Sequence, residues 1–275
     1  MTLFDTLSQH FAGDVRLFPE SKGHSAPAHV NTARAALHKA ANGASPRVSE
    51  ALWGEAVNII EDHGDWSLVQ TLSDHYLGYI QTDQVSLGEL SPTHRLIALQ
   101  SHIYPAPDLK HPPMGDLFCG SLLRVDNETL HNGFIKTHDE GYIYARHLAP
   151  LTVFQDDPVD VALGFLETPY LWGGRSRAGI DCSGLVQIAL QSCGIACPRD
   201  SDMQAAIVGK AIAPDDNLLY GDIIFFPGHV GLMVDDGHLL HANAHHMSTV
   251  IEPLADVVAR LKPAHEKPIS AIRRL

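Results

Sequence analysis

The sequence predicts an α+β chain in which two small β-barrels precede a half built from helices first and an antiparallel meander second. Two observations carry this. A set of short strand-and-turn strings occurs twice between residues 46 and 150, at an offset of roughly 63 to 66 residues. After Pro150 the apolar residues switch to helical spacing, and only later return to strands separated by Pro-Gly and Asp-Asp-Gly turns.

Residues 1–45 read as an extension with short helices. Leu3, Phe4, Leu7 and Phe11 share a helix face, and a second helical run is expected near Asn31 to Ala41. The first barrel is placed at 46–90. Its strands are Ala56–Ile60, Trp66–Thr71 and Gly78–Ile80, with a turn at His63-Gly64-Asp65. The second is placed at 91–150. Ser91 to Pro113 links the two and supplies a first strand around Leu96 to Tyr104; Gly120–Val125, Phe134–Thr137 and Gly141–Ile143 repeat the earlier strings. The remainder, 151–275, opens with helical Val159 to Phe165. Leu185, Val186, Ala189, Leu190 and Cys193 share a helix face ending at Gly194. Strands follow at Ile223–Phe226, Val230–Val234 and His238–His241, then a helix through Leu254, Val257, Val258 and Leu261, and a closing strand at Ile269–Ile272.

Composition narrows the partners. A formal net charge of −13, from 19 basic and 32 acidic residues, argues against nucleic acid and anionic membrane surfaces. No apolar run is long enough to span a membrane. Met1 to Gly13 has neither a basic segment nor a continuous apolar run, so no signal peptide is expected. The four cysteines, Cys119, Cys182, Cys193 and Cys197, form no C-x-x-C pair, and a Cys193–Cys197 disulfide is not expected. Together these point to a reducing, cytoplasmic location.

The chemistry concentrates in the last domain. Cys182, in Ile180-Asp181-Cys182-Ser183-Gly184, opens the apolar helix, where the helix dipole and free backbone N–H groups favour a thiolate. His229, in Gly228-His229-Val230-Gly231, starts an alternating strand and is the candidate base of a thiolate–imidazolium pair. His241 lies where a neighbouring antiparallel strand would bring it beside His229 and hold its tautomer. The backbone N–H of Cys182 and a donor from the Tyr170 segment would stabilise an oxyanion. This is the parts list of a cysteine hydrolase.

From about residue 159 onward these strings resemble the NlpC family of papain-like cell-wall peptidases. The matching strings are Pro-Tyr-x-Trp-Gly-Gly from Pro169, Asp181-Cys182-Ser183-Gly184, Gly221-Asp222-Ile223, Gly228-His229-Val230-Gly231 and His241-Ala242. Together with Pro198-Arg199-Asp200-Ser201-Asp202-x-Gln204, the chain resembles bacterial γ-D-glutamyl-L-diamino-acid peptidases of the dipeptidyl-peptidase VI type, with two SH3-like barrels ahead of the catalytic domain. The resemblance implies Cys182 as nucleophile, His229 as base and His241 as orienting residue. It also implies Tyr170 at the oxyanion site, with Asp181, Ser183 and Ser201 near the substrate. Glu55 and Tyr76 of the first barrel match residues that hold the free α-amine of an N-terminal L-alanine, and Asp181 with Glu55 would supply the carboxylate an ammonium needs. The implied substrate is a murein-derived peptide, cleaved without a cofactor in cell-wall recycling.

Four other readings stand beside this one. His238, His241, His245 and His246 suggest zinc or nickel, but no H-E-x-x-H helix accompanies them, and no metal is expected. The barrels would serve a non-catalytic peptide-binding module if the thiol were idle, and the same fold carries acyltransferases. Trp53, Trp66 and Trp172 suggest sugar stacking, though Trp66 alternates like a core residue.

Overall fold

The computed structural model describes residues 2–20, 25–138, 141–213 and 216–275. Met1 and residues 21–24 of the expected extension lie outside them, as do 139–140 and 214–215. The described chain divides into two units. One runs from Gly13 to Phe154; the other joins residues up to Ala12 with Gln155–Leu275.

In the first unit, strict alternation makes the strands. Trp66–Thr71 buries every second residue, and Val57, Val69 and Ile80 are wholly shielded from solvent. Seven strands form one antiparallel sheet: β1 (Ala26–Val30), β2 (Arg34–His38), β3 (Arg47–Leu52), β4 (Ala56–Asp62), β5 (Trp66–Thr71), β6 (Leu77–Gln81) and β7 (Val85–Leu87). Their order is β3-β2-β6-β5-β4-β1-β7. At the β4–β5 turn, Gly64 adopts φ 80° and donates its N–H to Asp62 Oδ1 at 2.8 Å, which a side chain at that position would strain.

Two expectations are corrected here. The Ala-rich run 31–41 is not helical: residues 34–38 form β2, with Ala35 and Leu37 fully buried between β3 and β6. Alanine favours helix intrinsically, but pairing on both edges outweighs a propensity of under about 1 kcal/mol per residue. The sheet therefore begins at Ala26 and not at 46, and the supposed extension supplies its first two strands.

The second region carries β8 (His94–Leu96), β9 (Gln100–Ile103), β10 (Gly115–Phe118), β11 (Leu122–Leu123), β12 (Leu130–His131), β13 (Phe134–Lys136), β14 (Tyr142–Tyr144) and β15 (Leu148–Pro150). The strand expected over Leu96 to Tyr104 is two strands, which pair in different sheets. Short sheets β11-β8-β15, β12-β13-β14 and β10-β9 replace the single large one. Leu96, Leu117, Leu123 and Ile143 centre its core, and Trp53 packs against that core. Each region closes on a single 3-10 turn, Thr82–Gln84 and Ala145–His147, followed by a short strand. Trp66 packs edge-on to His38.

The other unit places the chemistry. It contains α1 (Leu3–His10), α2 (Pro158–Leu163), the hairpin β16 (Arg175–Ser176) and β17 (Gly179–Ile180), α3 (Cys182–Ser192), α4 (Ser201–Ile207) and β18 (Lys210–Ala211). After them come β19 (Ile223–Phe226), β20 (His229–Met233), β21 (His238–Asn243), β22 (Ser248–Pro253), α5 (Leu254–Leu261) and β23 (Ala271–Arg274). The six-stranded sheet is antiparallel, in the order β18-β23-β19-β20-β21-β22. Helix α3 packs on β20 and β21, and its first nine residues are all buried. Helix α5, by contrast, buries only Leu254 and Val257 and is an amphipathic cover. No helix among the described residues is long and apolar enough to cross a membrane.

Candidate active site

Asp181 begins the site by ending a strand-like stretch. Its backbone is extended (φ −99°, ψ 178°), and its carboxylate caps α3 by accepting the Gly184 N–H at 2.7 Å. The other carboxylate oxygen accepts the Gly173 N–H at 2.8 Å, tying the glycine-rich loop to the helix start. Arg199 completes the group. Its Nη1 and Nη2 donate to Asp181 Oδ1 and Oδ2 at 3.0 and 2.6 Å, and Nη1 also donates to Ser183 Oγ at 2.8 Å. Both partners are buried. Gln204 of α4 adds a brace, donating to the carbonyls of Ser183 and Pro198 at 2.9 Å each.

Cys182 is therefore delivered at the first turn of a helix that packing immobilises. It is only 6% exposed. Burial, with the Asp181 carboxylate next to it, pushes its thiol up to about 12, against opposing hydrogen bonds from the Val230 and Ser183 N–H groups. The helix start does favour the anion, but desolvation is the larger effect. Tyr170 follows the same logic. Burial, then the charges of Cys182 and Asp181, raise its phenol, which stays protonated and can donate.

On the sheet side, β20 begins at His229 and β21 carries His241. Leu232 pairs with Leu240 and Met233 with Leu239, so the register continues to place Gly231 opposite His241. A Cβ at Gly231 would lie 2.9 Å from the His241 Cβ, the Leu239 Cγ and the Leu240 carbonyl oxygen. The glycine is what lets the His241 ring cross to His229, whose Nε2 lies 2.7 Å from His241 Nδ1. His241 Nε2 lies 2.8 Å from Glu252 Oε1 on β22, and Arg260 of α5 donates to both oxygens of Glu252 at 2.6 and 3.0 Å. Burial and the His241 and Arg260 charges hold His229 down at about 3; burial holds His241 at about 4. Burial works against ionisation of Glu252, but hydrogen bonds from Arg260 and His241 outweigh it and bring it to about 2. Burial thus works against charge on the thiol and on both imidazoles.

The unit thus holds Tyr170, Asp181, Cys182, Ser183, His229 and His241, while Ser201 is the half-buried first residue of α4. Asp181 needs a correction. Its two oxygens are occupied by Arg199 and two backbone N–H groups, so it is a helix cap and charge partner and not the counter-ion of a substrate ammonium. Glu55 and Tyr76 belong to the β unit, and both are buried. Glu55 accepts the Leu52 N–H after β3, and the Tyr76 N–H donates to Thr71 and Asp74.

Glu252, Arg260 and Arg199 were not singled out by sequence. Arg199 lies inside the quoted Pro198–Gln204 string. Glu252 is the single acid in a strand of apolar and hydroxyl residues, diagonal to His241 across the β21–β22 register. The histidine cluster is dispersed: His238 pairs with Asp235, and His245 stacks edge-on against His246. Among the described residues, no group of three or more His, Cys, Asp or Glu is arranged to hold a metal. Trp172 is 63% exposed.

Comparisons with known proteins agree across both units. Residues 167–260 match the NlpC/P60 family, and residues 37–85 match the bacterial dipeptidyl-peptidase Sh3 domain. The chain is 32% identical over 219 residues to dipeptidyl-peptidase 6 of Lysinibacillus sphaericus, covering 71% of this chain and 80% of that one. It is 27% identical over 250 residues to a gamma-D-glutamyl-L-lysine dipeptidyl-peptidase of Bacillus subtilis strain 168, covering 82% and 80%. A crystal structure of an NlpC/P60 family protein from Bacillus cereus ATCC 10987 has the same fold, with a TM-score of 0.75 at 21% identity over 90% of this chain and 99% of that one.

Proposed function

Because this chain belongs to the NlpC/P60 family, we propose that it hydrolyses the γ-D-glutamyl bond to the diamino acid of peptidoglycan peptides, with Cys182 as nucleophile and His229 as base. The enzyme class, a cysteine peptidase, follows from the family and its relatives. The observation that carries the residue assignment is that Cys182 opens α3, which packs on β20 and β21, the strands that bring His229 Nε2 within 2.7 Å of His241 Nδ1.

With Nε2 of His229 engaged by His241, Nδ1 is the nitrogen available to the thiol. As sulfur attacks the γ-carbonyl, the Cys182 proton passes to His229 Nδ1, and the carbonyl oxygen becomes an oxyanion. The Cys182 N–H and the Tyr170 phenol are suited to hold it. Collapse expels the diamino-acid amine, which takes the proton from His229 and leaves a γ-glutamyl thioester. Water, deprotonated by the same imidazole, then releases the L-Ala-γ-D-Glu dipeptide and the thiol.

We extend the reading to a substrate with a free N-terminal L-alanine, held by Glu55 and Tyr76, and take residues 91–150 as a second SH3-like copy. A cytoplasmic recycling role accords with four free cysteines. The test is mass spectrometry of L-Ala-γ-D-Glu-diaminopimelate digests. Parent enzyme should release the dipeptide, Cys182→Ala none, and an N-acetylated peptide should be cleaved far more slowly. Dipeptide release by a folded Cys182→Ala variant sinks the assignment.

A further inference from the structure

The Nε2 atom of His241 has two neighbours that ask opposite things of it. Glu252 Oε1, 2.8 Å away, requires a proton on Nε2; Asn243 Nδ2, 3.0 Å away, requires a lone pair. The Asn243 amide is oriented by its Oδ1, which accepts the His246 N–H at 2.8 Å, so its NH2 group is the one facing the ring. The conflict is resolved by charge. Arg260 donates two hydrogen bonds to Glu252 and keeps it anionic, and an anion at that distance from a bare ring nitrogen is repelled, whereas a donated N–H gives a charge-assisted bond.

The consequence propagates through two rings. With Nε2 of His241 protonated, its Nδ1 is a lone pair and accepts the Nε2–H of His229 across 2.7 Å. His229 is then left with a bare Nδ1, the form a base needs. We propose that Glu252, locked by Arg260, is a positioning residue of the peptidase, selecting through His241 the one His229 tautomer able to take the Cys182 proton. This rests on the cysteine peptidase reading. Without Glu252 the Asn243 amide wins: His241 becomes the Nδ1–H form, donates to His229 Nε2, and drives the proton of His229 onto Nδ1, blocking it.

The charged and titratable groups facing the two rings are His229 on β20, Glu252 on β22, His246 after β21 (3.5 Å from Glu252), Arg260 on α5 and Asp181 before α3. Glu252 stabilises the imidazolium of His229, and Arg260 opposes it.

The experiment uses full-length parent, Glu252→Ala, Glu252→Gln, Arg260→Met and Glu252→Ala/Asn243→Ala, assayed on the γ-D-glutamyl tripeptide with ring ¹⁵N NMR of the histidines. Glu252→Ala should lower kcat by about a hundredfold or more, as a wrong tautomer does in other hydrolases, with little change in KM. Adding Asn243→Ala removes the competing donor and should return several-fold of that loss, which a merely structural role would not do. The acid limb of kcat/KM should move to lower pH in Glu252→Gln and to higher pH in Arg260→Met. NMR should show Nε2–H on His241 in the parent and Nδ1–H in Glu252→Ala; Glu252→Gln, which keeps the shape, replaces the alanine variant if that one fails to fold. A kcat for Glu252→Ala within twofold of parent, no gain from Asn243→Ala, or Nδ1–H on parent His241 overturns the proposal. A parent that leaves the tripeptide intact overturns the peptidase reading instead, and the NMR tautomers still decide this one.

Discussion

Two carboxylate–arginine pairs bracket the site, and they differ in depth. Asp181–Arg199, at the nucleophile end, is sealed, with side chains 9% and 1% exposed; Glu252–Arg260, at the base end, is 11% and 28% exposed. The buried pair joins three chain segments: the glycine-rich loop, the first turn of α3 and the link from α3 to α4. The shallow pair touches two rings, His241 at 2.8 Å and His246 at 3.5 Å. The same ion chemistry thus serves architecture where water is excluded and proton placement where it is not.

The comparison is broken most severely at Arg199. Arg199→Met leaves the Asp181 carboxylate buried without its cation and should destabilise the catalytic unit by about 3–5 kcal/mol, read from denaturant midpoints. A loss as small as that of a surface pair would mean water reaches Asp181. Next comes Gly231→Ala. The added methyl meets His241, Leu239 and a backbone oxygen, so overpacking should cost about 1–3 kcal/mol. Activity should fall further than stability, because the ring that moves is His241. Unaltered kcat would show that the rings meet without help from the glycine.

Acid separates the two ends differently. His229 and His241 bind protons less readily folded (about 3 and about 4) than at their ordinary 6.5, and Glu252 less readily (about 2) than at 4.5. The unfolded chain therefore takes up protons first. The histidine contribution to stability is complete above about pH 6.5 and fades as pH falls toward 3; the Glu252 contribution is complete above about 4.5 and fades toward 2. His241→Phe should flatten the upper part of that decline in a Tm-versus-pH series, and an unchanged slope would reject it. The smallest effect belongs to Arg260→Met. Its pair is partly solvated and Glu252 keeps His241, so stability should change by under about 1 kcal/mol.

Much of this was legible in order and little in depth. The strands Ala56–Asp62, Trp66–Thr71 and Ile223–Phe226 follow from alternation or an uninterrupted apolar run, and α5 from its apolar stripe. Strand β2 was misread because alanine favours helix locally while its burial pattern is set by neighbours distant in sequence. At the site, Cys182, His229 and His241 stand out by residue type and glycine flanks. Glu252 does not, because its meaning lies in a diagonal contact that only strand register creates. Asp181 was visible, but its partner Arg199 sits 18 positions away, so its charge looked available when it is spent on the fold.

The near-complete burial of Cys182 also bears on what can reach it. Peroxides and alkylating agents react with thiolate sulfur that they can reach. Here they meet a sulfur whose surface is almost wholly covered. A sulfur sheltered in this way offers such reagents little to strike.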